Sequence, residues 1–181
     1  MAERKNFKKT RIEEKDEFEK VTLDIRRVSK TVKGGRKMHF SALVVVGDKK
    51  GRVGMGIAKA AEVPAAVEKA TKSAKKNLIF VPIVEGTVPY ETTGKFATSQ
   101  IIIIPSKQGS GIIAGGAARS VFELAGYKDV CSKIHGSTNK INVVRATLKA
   151  LKEMRSAEQI AMLRGKSVEE ITGGHNGKKH A

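Results

Sequence analysis

The chain lacks several features on which whole classes of protein depend. Its 181 residues include one cysteine, Cys131, so an internal disulfide framework is excluded and a reducing cytoplasm is indicated. Tryptophan is absent, and six phenylalanines and two tyrosines leave few platforms for stacking single-stranded bases. The longest aliphatic runs, residues 42–46 and 101–104, fall far short of the roughly 20 residues of a membrane helix, and the first residues contain no apolar secretory signal. We therefore expect a cytoplasmic protein without a membrane segment.

Positive charge is what the chain has in excess. It contains 35 Lys and Arg against 18 Asp and Glu, a formal net charge of +17. Residues 21–81 alone hold 14 basic and 4 acidic side chains, a concentration that solubility does not require. A polyanion partner is therefore indicated. The scarcity of aromatic residues favours recognition of the backbone and shape of folded RNA or duplex over recognition of single strands.

Composition and periodicity divide the chain into four segments. Residues 1–20 have mixed charge and no apolar stripe, which predicts a mobile arm, and residues 166–181 resemble a tail. Residues 21–81 show three stretches of strand-like alternation and then a helical stripe, which predicts a three-stranded antiparallel sheet packed on one helix. The alternation changes parity at residues 26–27, where we expect a bulge or a sharp twist.

Residues 82–165 predict a C-terminal two-layer β/α sandwich, so that the whole chain has an α+β fold. A strand is expected over residues 95–104, and its last four residues, all isoleucine, should be buried on both faces. A glycine-rich stretch then leads into a helix that reaches Ala125. Another strand is expected over residues 129–135, and a helix capped by Asn139 follows it.

Basic side chains and glycines gather around the predicted turns of the first sheet. Such turns can present cations to a phosphate backbone, and glycine amides add uncharged donors. The candidate RNA-binding residues are Arg26, Arg27, Lys30, Lys33, Gly34, Gly35, Arg36, Lys37, Lys49, Lys50, Arg52 and Lys59. A second candidate anion site is Ser137, Thr138 and Asn139 at a helix start, although ordinary capping also explains these residues.

An enzymatic alternative is carried by one glycine motif. Gly109-x-Gly111-x-x-Ala114 follows a strand and opens a helix, and Asp129 stands twenty residues after Gly109, as in a relaxed dinucleotide-binding fingerprint. Too little chain follows for a doubly wound sheet, so a structural role for the glycines is favoured. Cys131 and His135 lie too far apart on a strand to act as a pair. We therefore expect no active site, cofactor or metal, and keep a free-standing duplex-RNA-binding regulator as a third hypothesis.

Several motifs resemble those of the bacterial small-subunit ribosomal protein five family. The longest is Gly35-Arg36-x-x-x-Phe40-x-Ala42-x-x-Val45-Val46-Gly47-Asp48-x-x-Gly51-x-Val53-Gly54-Met55-Gly56-x-x-Lys59. Further matches are Glu62-Val63-Pro64-Ala65-Ala66, Gly111-Ile112-Ile113-Ala114-Gly115-Gly116, Gly136-Ser137-Thr138-Asn139 and Asn142-Val143-Val144-Arg145-Ala146-Thr147. The resemblance runs from about Val21 to Ile171.

The resemblance implies a non-enzymatic structural constituent of the small ribosomal subunit. It implies a first domain similar to the double-stranded-RNA-binding fold and bound to ribosomal RNA. It also implies contacts with ribosomal proteins four and eight, a position near the path by which messenger RNA enters, and an influence on head–body geometry and translational accuracy. Because residues 1–20 cannot supply the first helix of that fold, we expect a shaped RNA site rather than arbitrary duplex.

The resemblance also assigns roles to two segments. The loop at residues 31–37 corresponds to the family's reach toward the neck helix, a region linked to spectinomycin sensitivity. Contact with protein four is associated with residues 109–123, which include Gly111, Arg119 and Phe122. Phe122 lies opposite the apolar stripe of its predicted helix, so it is a candidate partner-facing residue, with burial beneath a neighbouring helix as the alternative.

Overall fold

A computed structural model describes residues 18–171, and the predicted arm and tail lie mostly outside that range. The first unit is a four-stranded antiparallel sheet with one helix. Its elements are β1 (Glu19–Val32), β2 (Gly35–Gly47), β3 (Arg52–Ala60), α1 (Val63–Lys76) and β4 (Leu78–Phe80), with the strands in the order β1-β2-β3-β4. The predicted three strands and helix are confirmed, and the short β4 adds a fourth strand at the edge.

Small residues let α1 lie directly on the sheet. Ala66, Ala70 and Ala74 are fully buried on its inner face, opposite Gly56 of β3. A Cβ added at Gly56 would lie 2.0 Å from the Ala70 carbonyl oxygen, so only glycine permits this approach. The alternation of alanine on the helix with glycine on the strand therefore sets the distance between the two layers.

The bulge in β1 lies earlier than expected. The pairing of β1 with β2 shifts between Thr22 and Asp24, whereas Arg26 and Arg27 pair regularly with β2. The prediction of a bulge at residues 26–27 was wrong because it assumed that apolar residues beyond Asp24 still face a core. Ile25 is in fact 46% exposed, so its parity carries no information about burial.

The second unit is a four-stranded sheet covered on one face by helices. Its elements are β5 (Thr92–Phe96), β6 (Ser99–Pro105), β7 (Ile112–Ile113), α2 (Gly116–Ala125), β8 (Val130–Gly136), α3 (Lys140–Glu153), α4 (Ala157–Arg164) and α5 (Val168–Ile171). The strand order is β5-β6-β8-β7, with β7 parallel to β8 and the other pairs antiparallel. The predicted α+β class with a C-terminal sheet and helices is confirmed.

Two expectations for β6 are corrected. The strand expected over residues 95–104 is a hairpin, because Ala97 turns the chain with φ 51° between β5 and β6. The run at residues 101–104 is not buried on both faces: Ile101 and Ile103 are fully buried, whereas Ile104 is 41% exposed. Since α2 and α3 cover a single face of this sheet, alternate isoleucines face outward.

One apolar core joins the two units. Val45 and Val53 of the first sheet pack in the same cluster as Phe122 and Leu124 of α2. The first sheet is therefore covered by α1 on one face and by α2 on the other, which explains why every residue of the 42–47 stretch is buried. A Cβ added at Gly47 would lie 2.2 Å from the Leu124 carbonyl oxygen, so the two units meet at backbone distance.

Candidate nucleic-acid interface

The outer half of the β1–β2 hairpin projects beyond the core. Pairing continues from Arg26 opposite Ser41 to Val32 opposite Gly35, and Lys33 and Gly34 form the turn. Six residue steps at about 3.4 Å give a projection of roughly 20 Å. Gly34 adopts φ 94°, which glycine tolerates without strain, so the tip can close in two residues. From residue 29 to residue 39, only one side chain is even partly buried.

This projecting hairpin is basic throughout. Residues 25–40 contain six Lys and Arg and no Asp or Glu. Lys30 and Lys37 pair directly across the two strands, an arrangement that places like charges about 5 Å apart at Cβ and destabilises an isolated hairpin. A partner that carries negative charge would remove this repulsion.

Both faces of the hairpin carry cations. Because alternate residues point to opposite faces, Lys30 and Lys37 share one face while Arg27 and Arg36 share the other. Lys59 of β3 pairs with Ser41, which in turn pairs with Arg26, so Lys59 extends the first of these faces across the sheet. A strand pair that is basic on both faces suits insertion between two phosphate backbones.

At the base of the hairpin, Asp24 links the two units. Its carboxylate accepts hydrogen bonds from Arg26 Nε and, at 3.2 Å, from Lys140 Nζ of α3. Lys140 Nζ also donates to the Leu23 carbonyl oxygen at 3.1 Å, which satisfies the bulge. Partial burial opposes ionisation of Asp24, but these two cations outweigh it and lower its pKa. Arg26 is therefore engaged within the protein, unlike the cations nearer the tip.

The remaining predicted cations lie at the opposite end of the sheet. Lys49, Lys50 and Arg52 follow the end of β2, twelve residue steps from Gly35 and so roughly 40 Å from the hairpin tip. The sequence pattern placed them at the next turn of the same sheet, and the prediction joined them with the hairpin cations in one candidate set, without considering that successive turns of a hairpin sheet lie at opposite ends of its strands. The structure thus separates the candidate residues into two surfaces.

Asp48 organises this second turn. Its Oδ1 accepts hydrogen bonds from the backbone N–H groups of Lys50 and Arg52 at 2.8 and 2.9 Å, and its Oδ2 accepts from Arg52 Nε at 2.6 Å. Burial of the carboxylate opposes ionisation, yet these hydrogen bonds prevail and hold the pKa of Asp48 below its usual value. The turn then docks on α2, since Lys49 N–H donates to the Leu124 carbonyl at 2.9 Å.

Two of the three cations at this turn have partners within the protein. Lys49 Nζ lies 2.6 Å from Glu19 Oε1, and the Arg52 guanidinium lies 5.3 Å from the centroid of the Phe18 ring. Lys75 Nζ lies over the same ring at 5.7 Å. Arg52 in particular serves the turn and the sheet edge, so the hairpin is the stronger candidate for phosphate contact.

The second predicted anion site is a helix cap in this structure. Asn139 Oδ1 accepts a hydrogen bond from the Ile141 N–H at 3.2 Å, and Ser137 Oγ accepts one from the Asn139 N–H at 3.3 Å. Thr138 lies exposed between them. These contacts are those of an ordinary N-cap, so anion binding by this group stays a prediction.

The glycine-rich loop is bound by its own acidic residue. Asp129, only 8% exposed, accepts a hydrogen bond from the Gly111 N–H at 2.8 Å. Arg119 Nη2 donates to the Ile112 carbonyl at 2.9 Å and so fastens α2 to β7. The carboxylate that a dinucleotide fingerprint would aim at a ribose thus closes the loop instead, and this geometry favours the structural role of the glycines.

Phe122 does not face a partner. Its side chain is fully buried and packs edge-to-face against Tyr127, with ring centroids 5.9 Å apart. The prediction that it contacts a partner is wrong, because the face of α2 opposite the sandwich core is covered by the first sheet. Exposed apolar side chains lie instead on the open face of the second sheet, where Ile104 and Ile113 flank Cys131 and are 41% and 55% exposed.

The described part of the chain offers neither a metal-ligand cluster nor a membrane-spanning helix. Within residues 18–171, no group of three or more His, Cys, Asp or Glu side chains is placed to hold a metal ion. In the same part of the chain, no helix combines the length and the apolar character needed to cross a membrane.

Two protein families match the chain, one for each unit. The family model described as ribosomal protein S5, N-terminal domain, matches residues 18–82. The family model described as ribosomal protein S5, C-terminal domain, matches residues 94–164. The two matches follow the order of the units in the fold and together cover most of the chain.

Proposed function

Since this chain belongs to the ribosomal protein S5 family, we propose that its projecting β1–β2 hairpin is the principal contact with ribosomal RNA. Membership makes the chain a structural constituent of the small ribosomal subunit that binds ribosomal RNA and other ribosomal proteins, in a family that is in general non-enzymatic. It is therefore a ribosome-associated protein of translation. The hairpin proposal adds which part of the molecule holds the RNA.

One observation carries the proposal: six cations and no carboxylate on a hairpin that projects from the core. The opposed Lys30–Lys37 pair is unfavourable in the protein alone and is relieved by phosphate. Tip residues Lys33, Arg36 and Lys37 would contact phosphates, while Gly34 and Gly35 let the backbone approach closely. A Cβ added at either glycine would meet no atom within 4 Å, so no part of residues 18–171 covers the tip. Because glycine has no side chain, a partner could approach the backbone there directly.

The position of the hairpin in the subunit follows the family resemblance. We infer that residues 31–37 reach the neck and so stabilise the geometry of head against body. This placement would support translational accuracy near the path by which messenger RNA enters, in a cytoplasmic ribosome. The shared core supports a mechanical role, since Lys140 of α3 holds the base of the hairpin and α2 holds the far turn of β2 through the Lys49 N–H.

We infer that the second unit supplies the contacts with proteins four and eight. Of the residues proposed for protein four, Gly111 and Arg119 are engaged in their own loop and strand. Their role would be to hold β7 in place, with Ile113 as the exposed apolar residue that a neighbour could cover.

The test is a double variant, Lys33→Gln with Arg36→Gln, expressed as the full chain. We expect weaker incorporation into small subunits in sucrose gradients, more misreading of a reporter, and an altered response to spectinomycin. The fold should be unchanged by circular dichroism, because both side chains are exposed. The matched control removes two exposed lysines elsewhere, Lys107→Gln with Lys128→Gln. Normal incorporation, decoding and drug response in the hairpin variant would refute the assignment.

A further inference from the structure

Two neighbouring depressions follow one flank of α3, and the hairpin function uses neither. The first, about 560 Å³, opens between the two units, and Met55, Phe96 and Leu148 give it an apolar lining. The second lies beside Tyr90 and is bounded by Lys152 near the end of α3 and by Arg155 just beyond it. Lys149 borders both, so the depressions form one continuous track along the helix. We call this surface the α3 track.

The α3 track has a basic rim. Arg145, Lys149 and Lys152 are exposed at positions i, i+4 and i+7 of α3, a spacing that spans about 10 Å along one flank. Across the first depression, Ser73 of α1 lines the opposite wall. An acidic side chain is also present, since Glu153 Oε1 lies 4.0 Å from Lys149 Nζ, but both groups are more than half exposed and this pair is weak. The rim therefore complements a negatively charged chain.

Each depression also contains an aromatic ring beside a cation. The Arg145 guanidinium lies 5.1 Å from the centroid of the Phe96 ring. Tyr90 is 37% exposed and lines the second depression with Arg155, whose backbone N–H donates a hydrogen bond to the Tyr90 hydroxyl at 3.1 Å and so fixes the ring. The chain has only eight aromatic residues, and two of them border this track. Aromatic rings and guanidinium planes are the groups on which unpaired bases stack.

We propose that the α3 track binds a short single-stranded segment of ribosomal RNA. One unpaired base enters the depression between the units and stacks on the Arg145–Phe96 pair, while neighbouring phosphates meet Lys149 and Lys152. An acidic peptide would satisfy the basic rim but would leave the apolar lining and the rings unused, and an apolar peptide would leave the cations unused. Unpaired RNA uses all three features.

This inference rests on the proposed function, because the hairpin must first bring the chain to ribosomal RNA. The experiment therefore uses a variant that keeps the hairpin, Arg145→Gln with Lys149→Gln, reconstituted as the full chain into small subunits. We expect normal incorporation, together with a several-fold rise in 2′-hydroxyl acylation at one unpaired nucleotide that the wild-type protein protects. The control, Lys107→Gln with Lys128→Gln, should leave that nucleotide protected.

A second variant separates stacking from charge. Phe96→Leu keeps apolar volume and removes the ring, and it should lower ultraviolet cross-linking of RNA to the peptide that contains residue 96 by about tenfold, the size of one lost stacking contact. Equal protection in the wild type and the double variant would overturn the proposal, and so would a cross-link from this peptide to a ribosomal protein. If the hairpin variant fails to incorporate into small subunits while the Arg145→Gln, Lys149→Gln variant incorporates normally, the proposed function of the hairpin holds whether or not the α3 track protects a nucleotide.

Discussion

The salt dependence of RNA binding tests the role of the hairpin quantitatively. Of its six cations, Arg26 is paired with Asp24, which leaves five for phosphate. At about 0.9 counterions released per phosphate contact, five contacts contribute a slope of about −4.5 in a plot of log affinity against log salt concentration. Replacing Lys33 and Arg36 by Gln should reduce this contribution to about −2.7.

The change in slope has a direct consequence for affinity. When the KCl concentration rises from roughly 0.1 to 0.3 M, weakening of the hairpin contacts should lower the RNA affinity of the wild type about 100-fold and that of the variant about 20-fold. Filter binding of the full chain to a small-subunit ribosomal RNA transcript measures both. Contacts elsewhere add the same amount to each protein, so the difference between the two slopes, about 1.8, is the quantity to compare.

The control decides between a specific hairpin contact and a general effect of net charge. Lys107→Gln with Lys128→Gln removes the same two charges from positions outside the hairpin and the α3 track. Its slope should stay close to that of the wild type. If both variants lower the slope equally, the cations act only through the overall charge of +17, and the reasoning from hairpin geometry is refuted.

Two further predictions concern stability. Asp48→Asn should cost about 1.5–3 kcal/mol in urea unfolding at pH 7 through loss of the charged hydrogen bond from Arg52. The folded pKa of Asp48 is lowered, so its contribution is present above the pKa of an unfolded aspartate, about 4, and is lost as the pH falls through the lower folded pKa. The difference in stability between the two proteins should therefore shrink as the pH falls below about 4. Gly126→Ala would combine a φ of 100° with a Cβ 2.2 Å from the Lys49 carbonyl oxygen, whereas Gly109→Ala would combine a φ of 85° with open space around the Cβ. Thermal melts should show a loss of stability of about 1–2 kcal/mol for Gly109→Ala and a clearly larger loss for Gly126→Ala. Equal losses would contradict a close contact between the units.

Local signals in the sequence were sufficient for most elements. Asn139 caps α3 as expected, and the strand expected over residues 129–135 appears as β8, displaced by one residue. The glycines at residues 34–35 mark the hairpin turn. These features depend on hydrogen bonds and backbone angles within a few residues, and a sequence records such requirements directly.

Burial was predictable only where one covering layer could be assumed. The isoleucines of β6 and the ring of Phe122 were both misjudged. Phe122 is buried because α2 packs on the first sheet, more than sixty residues away in the chain. Ile104 of β6 is exposed because helices cover only one face of the second sheet. An apolar run in the sequence does not predict whether the second face of its strand or helix is covered by another element or exposed to solvent.

The same limit applies to the RNA contact. Counting charge placed the predicted RNA contact within residues 21–81, but the count could not separate the hairpin tip from the Asp48 turn, which lie at opposite ends of β2. The separation arises because the core ends near Ser41, while β1 and β2 continue for six more residue pairs. Alternation persists beyond that point through Met38 and Phe40, so the sequence gives no sign that the strands have left the core. The projection depends on where α1 and α2 stop covering the sheet. It leaves the opposed Lys30 and Lys37 exposed, as the proposed contact with phosphate requires.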